Sequence, residues 1–116
     1  MKVMNYKDQA ATLMNGETVK NVAARVMIGR NDGADKFCMR VFEIEKNGFT
    51  PMHSHDWEHE VFVHAGQGRV FIEDGWHDIS AGSTIFVPPN VDHQFKNTSD
   101  DTMTFICVIP AGAPEL

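Results

Sequence analysis

The chain has 116 residues, with 42% hydrophobic and 22% charged residues, as in ordinary globular proteins. We expect residues 1–116 to form a single domain, with an ordered core over about 18–110 and loose ends. The net charge of −6 argues against binding to nucleic acid or to an anionic membrane, since both favour a cationic surface.

The N-terminal region contains the best candidate for a helix, a short stretch over Tyr6–Leu13. We expect roughly the first dozen residues either to fray or to pair with a neighbouring subunit. The C-terminal PAGAPEL is expected to be a loose tail.

The rest of the chain alternates between short apolar runs and turns that are rich in Gly, Pro, Asn and Asp. The runs are rich in Val, Ile, Phe and Thr, and their spacing is typical of an all-β sandwich or barrel. The predicted strands are KFCMRVFEIE (36–45), HEVFVHA (59–65), GRVFIED (68–74), TIFVPP (84–89), HQFK (93–96) and TMTFICVIP (102–110). We therefore predict an all-β fold, a small barrel of two packed antiparallel sheets.

The two cysteines, Cys38 and Cys107, lie in apolar runs without CxxC spacing, and we expect two buried free thiols. A disulfide remains an alternative, because the sequence does not give their separation. The N-terminus lacks the apolar core of a signal peptide, and no apolar run approaches the roughly 20 residues of a membrane span. These features predict a cytoplasmic protein.

Three of the six histidines fall within the segment HSHDWEHE (53–60). On a strand, alternate side chains share a face, so His53 and His55 point the same way and could chelate one ion. For the same reason, His59 and Glu60 cannot both point inward on a regular strand. Imidazole ligands favour Mn, Fe, Ni, Cu or Zn over Mg or Ca.

A distant partner for this cluster is His93, which follows the rigid turn VPPN. Four neutral imidazoles would leave the full charge of a divalent ion uncompensated, which favours a bound hydroxide or an anionic ligand. A six-coordinate ion with four protein ligands would keep two positions open for water, dioxygen or substrate.

These residues fall in two motifs that resemble those of the cupin superfamily. The first motif is GFTPMHSHDWEHEVFVHAG (48–66), and the second is GSTIFVPPNVDHQFKN (82–97). Asn90 stands where the family usually has glycine, and both residues tolerate the left-handed backbone conformation. The resemblance implies a cupin-type, jelly-roll-like β-barrel and, for a cupin of this size, a homodimer paired through N-terminal strands or sheet edges.

The resemblance also implies the ligands of the metal. In most cupins the third ligand is a glutamate, but this chain looks like the small single-domain cupins with HxHxWEHE and a four-histidine site, for which manganese is a known metal. On this basis the ligands of one divalent transition metal per chain are His53, His55, His59 and His93. Glu60 is the alternative to His59, and Fe, Ni, Cu or Zn are alternatives to Mn.

Four further residues are candidates for the lining of a pocket. Phe105 and Cys107 share a face of the last strand and either line the pocket or only pack in the core. Trp57 either covers the mouth of the site or anchors its loop. Arg40, inside an apolar strand, either binds a substrate carboxylate or faces solvent.

Other polar residues are expected to have no catalytic role. Glu58 is interpreted as a surface acid or as a neighbour of a ligand, and His64 and His77 as ordinary histidines outside both motifs. No catalytic residue is assigned beyond the metal site.

Three functions therefore compete for a small-molecule substrate at the metal. The first is an oxidoreductase of the dioxygenase type, which four histidines on a redox-active ion favour. The second is a non-redox isomerase or lyase, which would need a proton-transfer residue, Glu58 or Glu60. The third is a non-catalytic module that binds a small ligand, since a fold does not determine its function.

Overall fold

The computed structural model describes residues 1–116 and contains nine β-strands, two single 3-10 turns and no α-helix. The strands are β1 (Thr12–Met14), β2 (Lys20–Ile28), β3 (Phe37–Phe49), β4 (His59–Ala65), β5 (Gln67–Ile72), β6 (Gly75–Ser80), β7 (Thr84–Val87), β8 (His93–Lys96) and β9 (Met103–Pro110). All six strands predicted from the sequence are present, and the all-β prediction is confirmed. No helix in the structure has the length and apolar character needed to cross a bilayer.

The strands form one antiparallel sheet in the order β6-β5-β8-β3-β9-β4-β7, and β1 and β2 extend it beside β3. The 13-residue strand β3 joins the two halves of the sheet. Its first part pairs with β9 from Phe37 to Ile44, and its last residue, Phe49, pairs with Lys96 of β8. The sheet therefore curls into a small jelly-roll-like barrel, and the end of β3 lies next to the strand that begins with His93.

The core lies inside the barrel because the strands alternate buried and exposed residues. Strand β4 has this alternation without a break from His59 to His64. The largest fully buried side chains come from five strands and are Cys38, Ile44, Val63, Val70, Val87, Met103 and Ile109. The core is thus mainly apolar, and the buried polar residues are Arg40, His59, His93, Asn97 and Thr104.

The sequence did not reveal β1, β2 and β6. Strand β2 contains two alanines and three polar residues, and these residue types have weak strand propensity on their own. It is a strand because it pairs along β3, for example Val22 with Ile44 and Ala24 with Phe42. Tertiary pairing here outweighs local propensity.

The helix predicted over Tyr6–Leu13 is wrong beyond its first turn. The structure has a 3-10 turn over Tyr6–Asp8, in which the Asn5 side chain accepts a hydrogen bond from the backbone of Lys7. Strand β1 then begins at Thr12 and pairs with β2. Backbone groups of β1 form hydrogen bonds with β2 at the edge of the sheet, so these residues do not need a helix to satisfy them.

Candidate metal centre

The two motifs meet at the start of β8. The backbones of His53 and His93 exchange two hydrogen bonds, of 3.2 and 3.0 Å, which bring the HxH segment beside the start of β8. The turn before His93 contains Asn90, whose φ of 64° is in the left-handed region that asparagine, like glycine, tolerates. As a result, ring nitrogens of His53, His55 and His93 lie within 4.8 Å of one another.

The protonation of two of these rings follows from their hydrogen bonds. A carbonyl oxygen only accepts, so Nδ1 of His55 must donate to the Trp57 oxygen at 2.8 Å, and Nδ1 of His93 to the Val91 oxygen at 3.0 Å. In the neutral rings, each Nε2 therefore carries a lone pair. Nε2 of His93 is buried and has no hydrogen-bond partner, which is the state expected of a metal ligand.

His59 lies beside this group on the inward face of β4. Its side chain is buried, and its Nε2 is 2.7 Å from Nε2 of His55. Two ring nitrogens approach this closely only with a proton or a cation between them. Glu60, the next residue, is exposed on the outer face and pairs with Phe86 of β7. The strand alternation thus places the imidazole, and not the carboxylate, on the cluster side.

The other ring nitrogen of His59 contacts Cys107 and Arg40. Its Nδ1 is 2.9 Å from the Cys107 sulfur and 3.2 Å from Nη2 of Arg40, which also donates to that sulfur at 3.0 Å. Arg40 can only donate, whereas the sulfur can also accept. The surroundings of His59 therefore suit both neutral tautomers, including the one with the proton on Nδ1 that leaves Nε2 free for a metal.

Burial favours the neutral form of His53, His59 and His93. It lowers the pKa of His59 to about 3, with a further contribution from the positive charge of Arg40. Burial, followed by the neighbouring histidines, lowers the pKa of His53 to about 4, and burial also lowers the pKa of His93. Neutral imidazole is the form that binds metals, so the cluster is ready to bind an ion at neutral pH.

These shifts predict that the metal-free protein loses stability in mild acid. The pKa of His59 is about 3 in the folded chain, against 6.5 for an unperturbed histidine, so the unfolded chain binds more protons below pH 6.5. The contribution of neutral His59 to the free energy of unfolding should therefore be complete above pH 6.5. The free energy of unfolding should fall as the pH drops from 6.5 towards 3. This effect is expected from His59 in particular, because its side chain is buried, whereas that of His53 is exposed.

Urea denaturation of metal-free protein on both sides of pH 6.5 tests this expectation, with His59→Gln as the control. The variant lacks the titrating ring, so its midpoint should depend less on pH than that of the wild type. A wild-type midpoint that rises on acidification, or an equal dependence in both proteins, would contradict it.

A cavity of about 160 Å³ adjoins the histidines. Phe105, Cys107 and Arg40 line it, so for Arg40 the alternative of facing solvent is wrong: the residue is 7% exposed. Trp57 does not line this cavity but stacks on the ring of His55 at 4.0 Å. The remaining lining residues are Met14, Val19, Val22, Phe42, Thr50, Pro51, His53, His59, His93, Phe95 and Leu116.

Several lining residues were missed from the sequence. Phe42 and Phe95 could have been found, because each stands two residues from a candidate, Arg40 or His93, on the same face of its strand. Met14 and Leu116 could not, because they reach the cavity from the two ends of the chain and no pattern connects them to it.

The remaining polar candidates lie away from the cavity. Glu58, His64 and His77 are exposed, and none of them lines it. His64 contacts the ring of Tyr6 on the outer surface, at 6.2 Å between ring centroids. The interpretation of these three residues as outside the site agrees with where they lie.

Comparison with known proteins gives one family and several similar structures. The family model described as "Cupin domain" matches residues 40–109. The polyketide cyclase RemF from Streptomyces resistomycificus is 32% identical, with a TM-score of 0.90 over 98% of this chain and 82% of that chain. No curated protein matches the sequence.

Two further structures share the fold at lower identity. A cupin-2 domain from Rhodospirillum rubrum is 20% identical, with a TM-score of 0.83 over 95% of this chain and 74% of that chain. A predicted oxalate decarboxylase from Thermotoga maritima is 17% identical, with a TM-score of 0.84 over 95% of this chain and 99% of that chain. At these identities the likeness concerns the fold alone.

Proposed function

The chain belongs to the cupin domain family, and on that basis we propose that it is a metal-dependent enzyme acting on a small organic molecule. In this proposal His53, His55, His59 and His93 hold one divalent transition metal, with manganese as the first candidate. The observation that carries the proposal is the buried, unpartnered Nε2 of His93 within 4.8 Å of ligand atoms of His53 and His55.

The chain's own groups would prepare the site before an ion or a substrate arrives. The carbonyl oxygens of Trp57 and Val91 hold the Nδ1 protons of two histidines and fix the rings with Nε2 free. The apolar walls of the cavity limit access of water and strengthen electrostatic interactions inside it. A bound ion would supply Lewis acidity, which polarises an oxygen of the substrate.

The likeness to the polyketide cyclase RemF favours a non-redox reaction. A polyketide carries several carbonyl oxygens, and ring closure between its carbons is helped when one of these oxygens is polarised. We therefore place a cyclisation of an oxygen-rich small molecule first.

A dioxygenase-type oxidation is the second candidate, and a different observation favours it. Glu58 and Glu60 are exposed and do not line the cavity, so no carboxylate is placed for the proton transfer that an isomerase or lyase needs. Activation of dioxygen at a redox-active ion depends less on a carboxylate that transfers protons. A module that only binds its ligand is the third candidate.

Elemental analysis and an activity assay test these proposals together. We expect protein purified without added metal to contain manganese or another transition metal in stoichiometric amount. A linear triketone should then lose water and form a ring equally with and without oxygen, and should do so only with loaded protein. Incorporation of oxygen atoms into the product would favour the second candidate, and tight binding without turnover the third. A metal-free protein that cannot be loaded would overturn the metal-dependent function.

The homodimer stays a prediction. Its support is the group of large apolar side chains exposed on the outer surface, including Phe62 and Phe86 on neighbouring strands. A monomeric mass in light scattering would contradict it.

A further inference from the structure

We infer that the cavity beside the histidines binds a small planar anion, with its anionic oxygen at Arg40 and its ring-like body against the phenylalanines. This inference deepens the proposed function by naming a class of ligand. The inference rests on the proposed metal-dependent function in one respect only, namely the additional positive charge that a bound ion would supply.

The first argument is the unbalanced charge of Arg40. The side chain is buried, yet no ion pair of the chain includes it. Its Nη1 donates to the backbone oxygen of Glu115 at 3.3 Å, while the Glu115 carboxylate accepts from the backbone of Arg30. Nε of Arg40 is buried without any partner. A buried guanidinium without a carboxylate is costly, so an anionic ligand would compensate it.

The second argument is the absence of acidic side chains from the cavity wall. The lining contains Arg40 and three histidines, but no aspartate or glutamate. An imidazole side chain carries no negative charge in either of its usual protonation states, so the histidines would not offset the charge of a divalent ion. A bound ion and Arg40 together would therefore give the cavity an excess of positive charge, which disfavours cations and favours anions.

The third argument is the shape of the apolar wall. The ring of Phe105 is stacked on Phe42, with centroids 5.2 Å apart at 15°, and on Phe95, with centroids 4.6 Å apart at 22°. Because Phe105 stacks on both other rings and the Arg40 guanidinium lies 4.9 Å over the Phe42 ring, these side chains form a rigid apolar wall directly beside the positive charge. The cavity volume of about 160 Å³ is close to that of an engineered apolar cavity, about 150 Å³, that binds benzene. A single substituted ring therefore fits by volume.

Benzoate and benzamide provide a matched pair of probes, because they share shape and volume but differ in charge. Calorimetric titration of metal-free protein should give at least about tenfold tighter binding of benzoate, as expected for a hydrogen bond to a charged group. Equal binding of the two probes, or binding of neither, would overturn the inference.

Substitution of Arg40 then identifies the group responsible. In Arg40→Gln the preference for benzoate should disappear, while Arg40→Lys should retain part of it because the charge remains. Arg69→Gln, which changes an exposed arginine paired with Asp78, is the control and should bind as the wild type does. Circular dichroism checks that each variant is folded. If Arg40→Gln does not fold, the wild-type and Arg40→Lys titrations still decide the question.

The same titrations on manganese-loaded protein separate this inference from the proposed function. A preference for benzoate that appears only with manganese and survives Arg40→Gln would show recognition by the ion alone, and would overturn the role of Arg40. Failure to take up manganese, with the benzoate preference intact in metal-free protein, would overturn the metal-dependent function but not the anion site.

Discussion

Replacing His59 with alanine is expected to remove bound metal from the protein, whereas replacing Glu60 with alanine should leave it bound. The imidazole is buried, with Nε2 2.7 Å from Nε2 of His55, while the carboxylate is exposed on the outer face of the same strand. Loss of a residue that merely orients a metal ligand typically weakens metal binding by roughly 10- to 100-fold, so loss of a ligand should cost at least as much.

Metal content and affinity of the purified variants, measured by elemental analysis and competition with a chelator, check this prediction. Glu60→Ala is the matched control, since it changes the adjacent residue of the same strand. His64→Ala is a second control that removes an exposed imidazole from that strand. Metal retained by His59→Ala together with an empty site in Glu60→Ala would reverse the assignment and indicate a site of three histidines and one glutamate.

The second large effect is expected at Asn97, the last residue of the second motif. Its side-chain amide is buried and donates to the backbone oxygens of Ile44, at 2.8 Å, and Asp101, at 2.7 Å. Its oxygen accepts from the backbone of Ser99 at 2.8 Å. Asn97→Ala leaves the carbonyl of fully buried Ile44 without this donor, and we expect the free energy of unfolding to fall by about 2–3 kcal/mol.

Asn97→Asp separates the donor role from the acceptor role. The carboxylate can still accept from Ser99, but it cannot donate and would face two carbonyl oxygens, so this variant should be at least as unstable as Asn97→Ala. Thr98→Ala, at an exposed position in the same loop, should change stability by no more than about 0.5 kcal/mol. Urea denaturation gives these values. An Asn97→Asp variant with wild-type stability would contradict the role of the amide.

The parts of the fold that could be predicted are those with a strong local pattern. The strand HEVFVHA alternates apolar and polar residues, and the structure has a strand over the same residues, His59–Ala65. The Gly- and Asn-containing turns also have local causes, as at Asn90, where the residue type tolerates the positive φ that the turn has. Strand β2 was missed because its alanines and polar residues carry little signal until they pair with β3.

The candidate site shows the same division. Spacing alone grouped His53 with His55, and alternation alone required a choice between His59 and Glu60. The motif placed His93 with them. The sequence could not determine which face of β4 would point inward, because that depends on the pairing of the strand with β7 and β9.

Arg40 illustrates what only tertiary structure could decide. In the sequence it is one charged residue in an apolar run, and both solvent and a substrate carboxylate were reasonable partners. The register that pairs Arg40 with Cys107 puts its guanidinium inside the barrel, against His59 and the cavity. No local sequence pattern indicates this inward position, because Cys107, the residue that pairs with Arg40, is distant in the chain.

By itself, the sequence determined that this protein is a small all-β domain of the cupin family with a group of histidines suited to a transition metal. These properties depend on residue types and short spacings, which the chain carries locally. The tertiary structure decided the buried position of His59, the outward position of Glu60, and the burial of Arg40, without a salt bridge, beside a cavity lined by no acidic side chain. These depend on strand register and on the curvature of the sheet, which arise only when distant segments pair.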